Sequence, residues 1–156
     1  MAGQGIEIVH QFRRVVFALT DQGIRFAKRR GMNPTDLKAI VVLNDLRRDG
    51  IRATPGVLGA RLGITSASTT ALLDRLERLD MVSRSPDPDD RRRVVVEVTP
   101  AAHQAGSAAF GAQIDALGNL VDAYPPADRA AVARFLNDVL ALTDRPLPTT
   151  MLVTNN

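Results

Sequence analysis

The 156-residue chain is 45% hydrophobic and 24% charged with a net charge of +3, which fits one soluble domain or one protomer of an assembly. It has no cysteine and two histidines, which excludes disulfide scaffolding, thiolate metal sites and a histidine-rich metal centre. No segment approaches the ~20 apolar residues of a membrane span. The opening "MAGQGIEIVHQFRRVVFALT" has Glu7, His10, Arg13 and Arg14 breaking every apolar run, so no secretory leader is expected and the chain reads as cytoplasmic.

Residues 6–30 read as an amphipathic helix. Ile8, Phe12, Val15, Leu19 and Phe26 form one stripe at helical spacing, and Gly31 ends it. "MNPTDLKAIVVLNDLRRDG" restarts with Asn33 as N-cap and Pro34 at the first helical position. Leu37, Ile40, Val41, Leu43 and Leu46 make this second helix apolar over most of its girth, so it is expected to be buried, with Gly50 as its stop. "TPGVLGARLG" predicts a short helix capped by Thr54, with Leu58 and Leu62 on one face and Gly63 at the turn.

Thr65 is placed to cap the next helix, which runs to about Asp80. Thr69, Leu72, Leu73, Leu76 and Leu79 share its inner face; Ser66, Ala67, Thr70, Ala71, Asp74 and Arg78 lie opposite. A short helix, a glycine turn and a longer helix form the layout of a helix-turn-helix. "MVSRSPDPDDRRRVVVEVT" then predicts a β-hairpin: a strand over 82–85, a turn at "PDPDD", and a return strand over 92–98 with Val94, Val96 and Val98 facing the core. Pro100 opens a long helix through "AAHQAGSAAFGAQIDALGNLVDAY", and the prolines at 125 and 126 break it. Val132, Phe135, Leu136 and Val139 mark a last helix, and the residues after it read as a frayed tail.

Charge is concentrated in one segment. Residues 47–93 hold ten arginines against seven acids, the whole of the excess, while the rest of the chain balances at ten against ten. Such a concentration suits a polyanion-facing surface. A major groove about 12 Å wide admits one helix. A slim hydroxyl-bearing face made of Ser66, Ala67, Thr70 and Ala71 suits that approach, and the arginines of the hairpin would reach phosphates or a narrow minor groove beside it. The order is that of a winged helix-turn-helix.

The segment "TPGVLGARLGITSASTTALLDRLERLDMVSRSPDPDDRRRVVVEVTPAAHQ" resembles the core of the MarR family of transcriptional regulators. The resemblance is carried by "LLDRLE" (72–77), "VSR" (82–84), the wing "PDPDDRR" (86–92) and "VEVTP" (96–100), and it extends over residues ~6–143. It implies a mainly α fold with a small β-wing, about six helices and a hairpin. Residues 1–32 would form an N-terminal dimerisation helix, 33–99 the DNA-binding domain, 100–143 the C-terminal dimerisation helices and 144–156 a tail. It further implies a homodimer on double-stranded DNA with a palindromic operator, acting as a repressor that answers to a small aromatic or anionic effector.

On the recognition helix the candidate DNA-binding residues are Thr65, Ser66, Ser68, Thr70, Arg75 and Arg78. Thr65 doubles as a cap, and Arg75 and Arg78 could pair locally with Asp74 or Glu77 instead. On the wing the candidates are Arg84, Asp90, Arg91, Arg92 and Arg93. Asp90 and Arg92 resemble the family's wing-ordering Asp-x-Arg pair, leaving Arg91 and Arg93 for the groove. The sequence departs from the family at Ala71, where many members carry a basic residue, and at Asp80, where glycine is usual. The alternative is a winged helix used only for protein contact or dimerisation. No enzyme is expected, because the chain shows no nucleophile–base pairing, glycine-rich phosphate loop or ligand cluster. No metal or other cofactor is expected either; Asp87, Asp89 and Asp90 lack the pattern of a calcium loop. His10 and His103 read as surface or interface residues.

Overall fold

A computed structural model describes residues 3–143; the expected tail over 144–156 lies outside the described residues. The elements run α1 (Gly3–Arg29), α2 (Pro34–Arg48), α3 (Pro55–Leu62), α4 (Ser66–Arg78), β1 (Val82–Pro86), β2 (Val94–Val98), α5 (Pro100–Asp122) and α6 (Pro126–Thr143). This is the mainly helical fold with one antiparallel hairpin that the sequence predicts. The chain divides into two compact units, one ending at Ala109 and one starting at Phe110.

Cap chemistry sets the helix boundaries in the first unit. Asn33 and Asp36 form a reciprocal capping box, each side chain accepting the other's backbone N–H at 2.9 Å. Thr54 and Thr65 cap α3 and α4 through the N–H groups of Val57 and Ser68. The first four helices end alike, in a left-handed residue that lets its own N–H and the next fold back onto the last turn: Gly31, Gly50 and Gly63, and then Asp80 at φ 54°. Asp80 and Met81 donate to the carbonyls of Glu77 and Leu76, and Thr99 Oγ1 donates to the Asp80 carbonyl at 2.6 Å. The turn thus keeps its geometry without glycine. Thr99 also accepts from the Ala102 N–H, which starts α5.

The core of this unit gathers Ala39, Leu43 and Leu46 of α2, Leu58 of α3, Leu72, Leu73 and Leu76 of α4, and Val82 and Val96 of the hairpin. Two apolar residues expected inside are not. Val41 is 51% exposed, so α2 buries one side rather than most of its girth. Val94 is 41% exposed because it pairs with Pro86 at the outer end of the hairpin. The return strand begins two residues later than expected, and its burial does not alternate: Val95 and Val96 are consecutive and both buried. β2 packs against both α2 and α3, and Ala53 accepts a 2.8 Å bond from the Val96 N–H, so the middle of the strand is covered on more than one side.

Long stretches of helix have no such cover. α1 has 27 residues, a length of about 40 Å, yet buries only Phe26 and Ala27. Ile6, Val9, Val15 and Phe17 along it are exposed. In the second unit, Ile114, Leu117, Leu120, Val132, Leu136 and Leu140 are exposed, and α6 buries no residue.

Candidate nucleic-acid interface

α3 and α4 approach closely at Gly59, where a Cβ would stand 2.6 Å from Thr69 Oγ1. Thr69 is buried, and its hydroxyl donates to the Thr65 carbonyl at 2.9 Å. The opposite face of α4, with Ser66, Ala67, Thr70, Ala71, Asp74 and Arg78, is exposed. Its hydroxyls are partly engaged. Thr65 Oγ1 donates to Ser68 Oγ at 3.0 Å, and Thr70 Oγ1 donates to the Ser66 carbonyl at 3.0 Å. Arg78 Nε reaches the Asp74 carbonyl one turn back.

Two arginines named as DNA candidates turn inward instead. Arg75 grips the fully buried Asp36 through Nε at 2.9 and 3.0 Å and Nη2 at 2.5 Å, tying α4 to the capping box of α2. The Asp36 carboxylate raises the Arg75 pKa. Arg84 donates from its backbone N and Nε to Glu77 and from Nη2 to both Glu77 and Asp74, which ties β1 to the same helix. This cluster raises the Arg84 pKa, chiefly through Glu77, and the Arg84 guanidinium in turn holds Glu77 below the usual carboxylate range.

Besides Asp90, the wing is held by Arg52 and Asp87, which the sequence pattern did not mark as wing-ordering. Asp87 is 1% exposed; its Oδ1 accepts from Arg52 Nη1 at 2.7 Å and from the Asp89 N–H at 2.9 Å. Arg52 Nη2 bridges on to Asp89 Oδ2 at 2.5 Å. Asp87 N–H donates to the Arg93 carbonyl, and Arg93 N–H to the Asp90 carbonyl, closing the turn. Asp90 accepts from the backbone N–H of Arg92 at 3.1 Å, so its bond to Arg92 runs through the main chain, not through the guanidinium. Arg91, Arg92 and Arg93 are all exposed, and no ion pair among the described residues involves them.

Behind the hairpin an open groove of about 840 Å³ is lined by Leu43, Arg47, Arg52, Val95, Glu97 and His103 among others. Arg47 Nη1 lies 2.8 Å from His103 Nε2. No group of acids and histidines that could hold a metal ion occurs among the described residues.

Comparison with known proteins follows the same outline. Residues 30–93 match the MarR family. The HTH-type transcriptional regulator YcgE of Bacillus subtilis is 47% identical over 66 residues, which are 42% of this chain and 40% of YcgE. The HTH-type transcriptional repressor YetL of the same organism is 34% identical over 70 residues, 45% of this chain and 41% of YetL. The chain thus spans less than half the length of these curated relatives. Among solved structures, a mutant MepR from a multidrug-resistant S. aureus clinical isolate superimposes with a TM-score of 0.67 at 17% identity, covering 88% of this chain and 97% of that one. The S. aureus MepR–DNA complex gives 0.56 at 17% identity, with 87% and 99% covered. At such identity the likeness is one of fold.

Proposed function

We propose that the chain, whose residues 30–93 match the MarR family, is a transcriptional regulator that binds double-stranded DNA, α4 entering the major groove and the wing reaching the phosphates and minor groove beside it. One observation carries this reading. The domain pairs Arg52, Arg75 and Arg84 with its own carboxylates, and leaves Arg91, Arg92 and Arg93 solvent-facing on an anchored turn with no ion pair among the described residues. Three adjacent cations that face solvent and are not locked to carboxylates suit a polyanionic partner.

Roles then divide. Ser66 and Thr70 face bases, with Ala67 and Ala71 leaving room for the approach. Thr65 and Ser68 cap the helix and lie near the backbone. Arg78 and the three wing arginines meet phosphate or the minor groove. Arg75, Arg84 and Asp90 hold α4, β1 and the turn in place. Ser66, Ala67, Thr70 and Ala71 lack the two-pronged donor that reads guanine.

A homodimer completes the molecule. The exposed apolar residues of residues 1–32 and 100–143 need a cover, and a second copy supplies a matching one by symmetry. Two-fold symmetry calls for a palindromic operator with half-sites roughly one helical turn apart. Repression follows if that operator overlaps a promoter. The groove lined by Leu43, Val95, Arg47 and His103, with Glu97 in its wall, is the place for a small aromatic or anionic effector, which relieves repression if it binds better to a dimer whose half-site spacing no longer fits.

The test is a footprint of the purified protein on the DNA flanking its own gene, with sedimentation to fix the oligomer. Two protected patches about one turn apart, made by a dimer, are expected. Uniform weak protection that vanishes at moderate salt contradicts the reading.

A further inference from the structure

The wing's fixation reaches outside the hairpin. A two-stranded hairpin alone is marginal in water, and the turn over 87–93 bears three adjacent arginines. Its anchor is the buried Asp87, which closes the turn through its own N–H on the Arg93 carbonyl and through the Asp89 N–H on its carboxylate. Arg52, in the segment between α2 and α3, binds that carboxylate with one prong and Asp89 with the other. The segment is itself fixed, because the neighbouring Ala53 carbonyl accepts the Val96 N–H. A rigid path therefore runs from the body of the domain through one guanidinium to the turn that carries Arg91, Arg92 and Arg93.

We propose that Arg52 is a positioning residue for the wing: without touching nucleic acid, its forked guanidinium sets where the three wing arginines stand. This rests on the reading of the wing as a DNA contact. A planar fork that bridges two carboxylates has no equivalent in a point charge such as lysine. Asp87, Asp89 and Arg52 thus act as one unit, and loss of any one member frees the turn.

The experiment is a double-mutant cycle read as the slope of log binding constant against log salt on the footprinted duplex. Arg91→Ala is expected to reduce the slope by about 0.9 for one lost phosphate contact. Arg52→Gln, in full-length protein with an unchanged far-ultraviolet spectrum, is expected to reduce it at least as much. Arg91→Ala added to Arg52→Gln is then expected to cause little further loss, because the arginine is already out of place. A wild-type slope in Arg52→Gln, or two reductions that simply add, overturns the inference. A purely structural arginine lowers stability without this pattern.

If Arg52→Gln fails to fold, Asp89→Asn at the exposed prong serves, and its sign is decisive. Removing an acid from a DNA-facing turn tightens binding on charge grounds alone, whereas loss of positioning weakens it. Weaker binding with a lower slope supports the proposal; unchanged or tighter binding overturns it. If Arg91→Ala itself leaves the slope at its wild-type value, the wing reading has failed and takes this inference with it.

Discussion

Gly59→Ala tests the packing that presents α4. The added methyl would stand 2.6 Å from Thr69 Oγ1, about 0.8 Å short of the 3.4 Å at which ordinary contact begins. Thr69 cannot simply swing away, since its buried hydroxyl donates to the Thr65 carbonyl. Overpacking of this kind costs about 1–3 kcal/mol, and rotating Thr69 instead forfeits a hydrogen bond of about 1 kcal/mol. Against this, alanine gains about 1 kcal/mol over glycine inside a helix. The expected net effect is destabilisation by up to about 2 kcal/mol, read as a lower urea midpoint at fixed protein concentration. Thr69→Ala removes the obstructing oxygen, so in that background Gly59→Ala should become neutral or stabilising. A rise in wild-type stability, or an equal loss in both backgrounds, refutes the argument that these two side chains set the distance between α3 and α4.

Three other expectations follow from single contacts. Asp80 is the one described residue other than glycine with positive φ, and its anchoring bond runs through its backbone carbonyl, so Asp80→Gly should stabilise by roughly 0.5–1 kcal/mol in thermal unfolding. Asp87 is held below the usual carboxylate range, first by the Asp89 N–H and then by the charge of Arg52. Its contribution is therefore complete above the unfolded value of about 3.9 and is lost as pH falls through the lower folded value. Asp87→Asn should lower the urea midpoint at pH 7 and flatten its decline below about pH 4; a parallel decline in both proteins counts against this. Thr70 directs its hydroxyl proton to the Ser66 carbonyl, and Ala67 and Ala71 expose methyl groups. Thymines beneath α4 should therefore be sensed by their 5-methyl groups, and replacing each by deoxyuridine should weaken binding roughly fourfold, from about 0.8 kcal/mol per buried methyl.

Features with a local cause were legible from the residues. Asn33 before Pro34, the threonine caps and the glycine stops need only neighbours a few positions away, and the structure places all of them as expected. The inner and outer faces of α4 follow from helical spacing in the same way. Pairings across the fold were not legible. Arg75 meets Asp36 over 39 positions and Arg52 meets Asp87 over 35, and nothing near either arginine announces a distant partner. An arginine at the edge of an exposed helical face looks alike in sequence whether it reaches out to phosphate or curls inward to a carboxylate. The capping box offered one clue, since an acid three residues after Asn33 is placed in the first turn of α2, but not that Arg75 would also claim it. Val94 was misplaced because it begins β2 at the outer end of the hairpin, opposite Pro86 and beyond the cover that buries Val95 and Val96.

The most direct measurement is the salt dependence of duplex binding by the wild type and by a variant with Arg91, Arg92 and Arg93 all changed to alanine. The variant should keep its fold and oligomeric state while its log–log slope falls by about 0.9 for each phosphate contact removed, with affinity lost most at low salt. A variant that binds with the wild-type slope and affinity would contradict the claim that these exposed cations exist to meet nucleic acid.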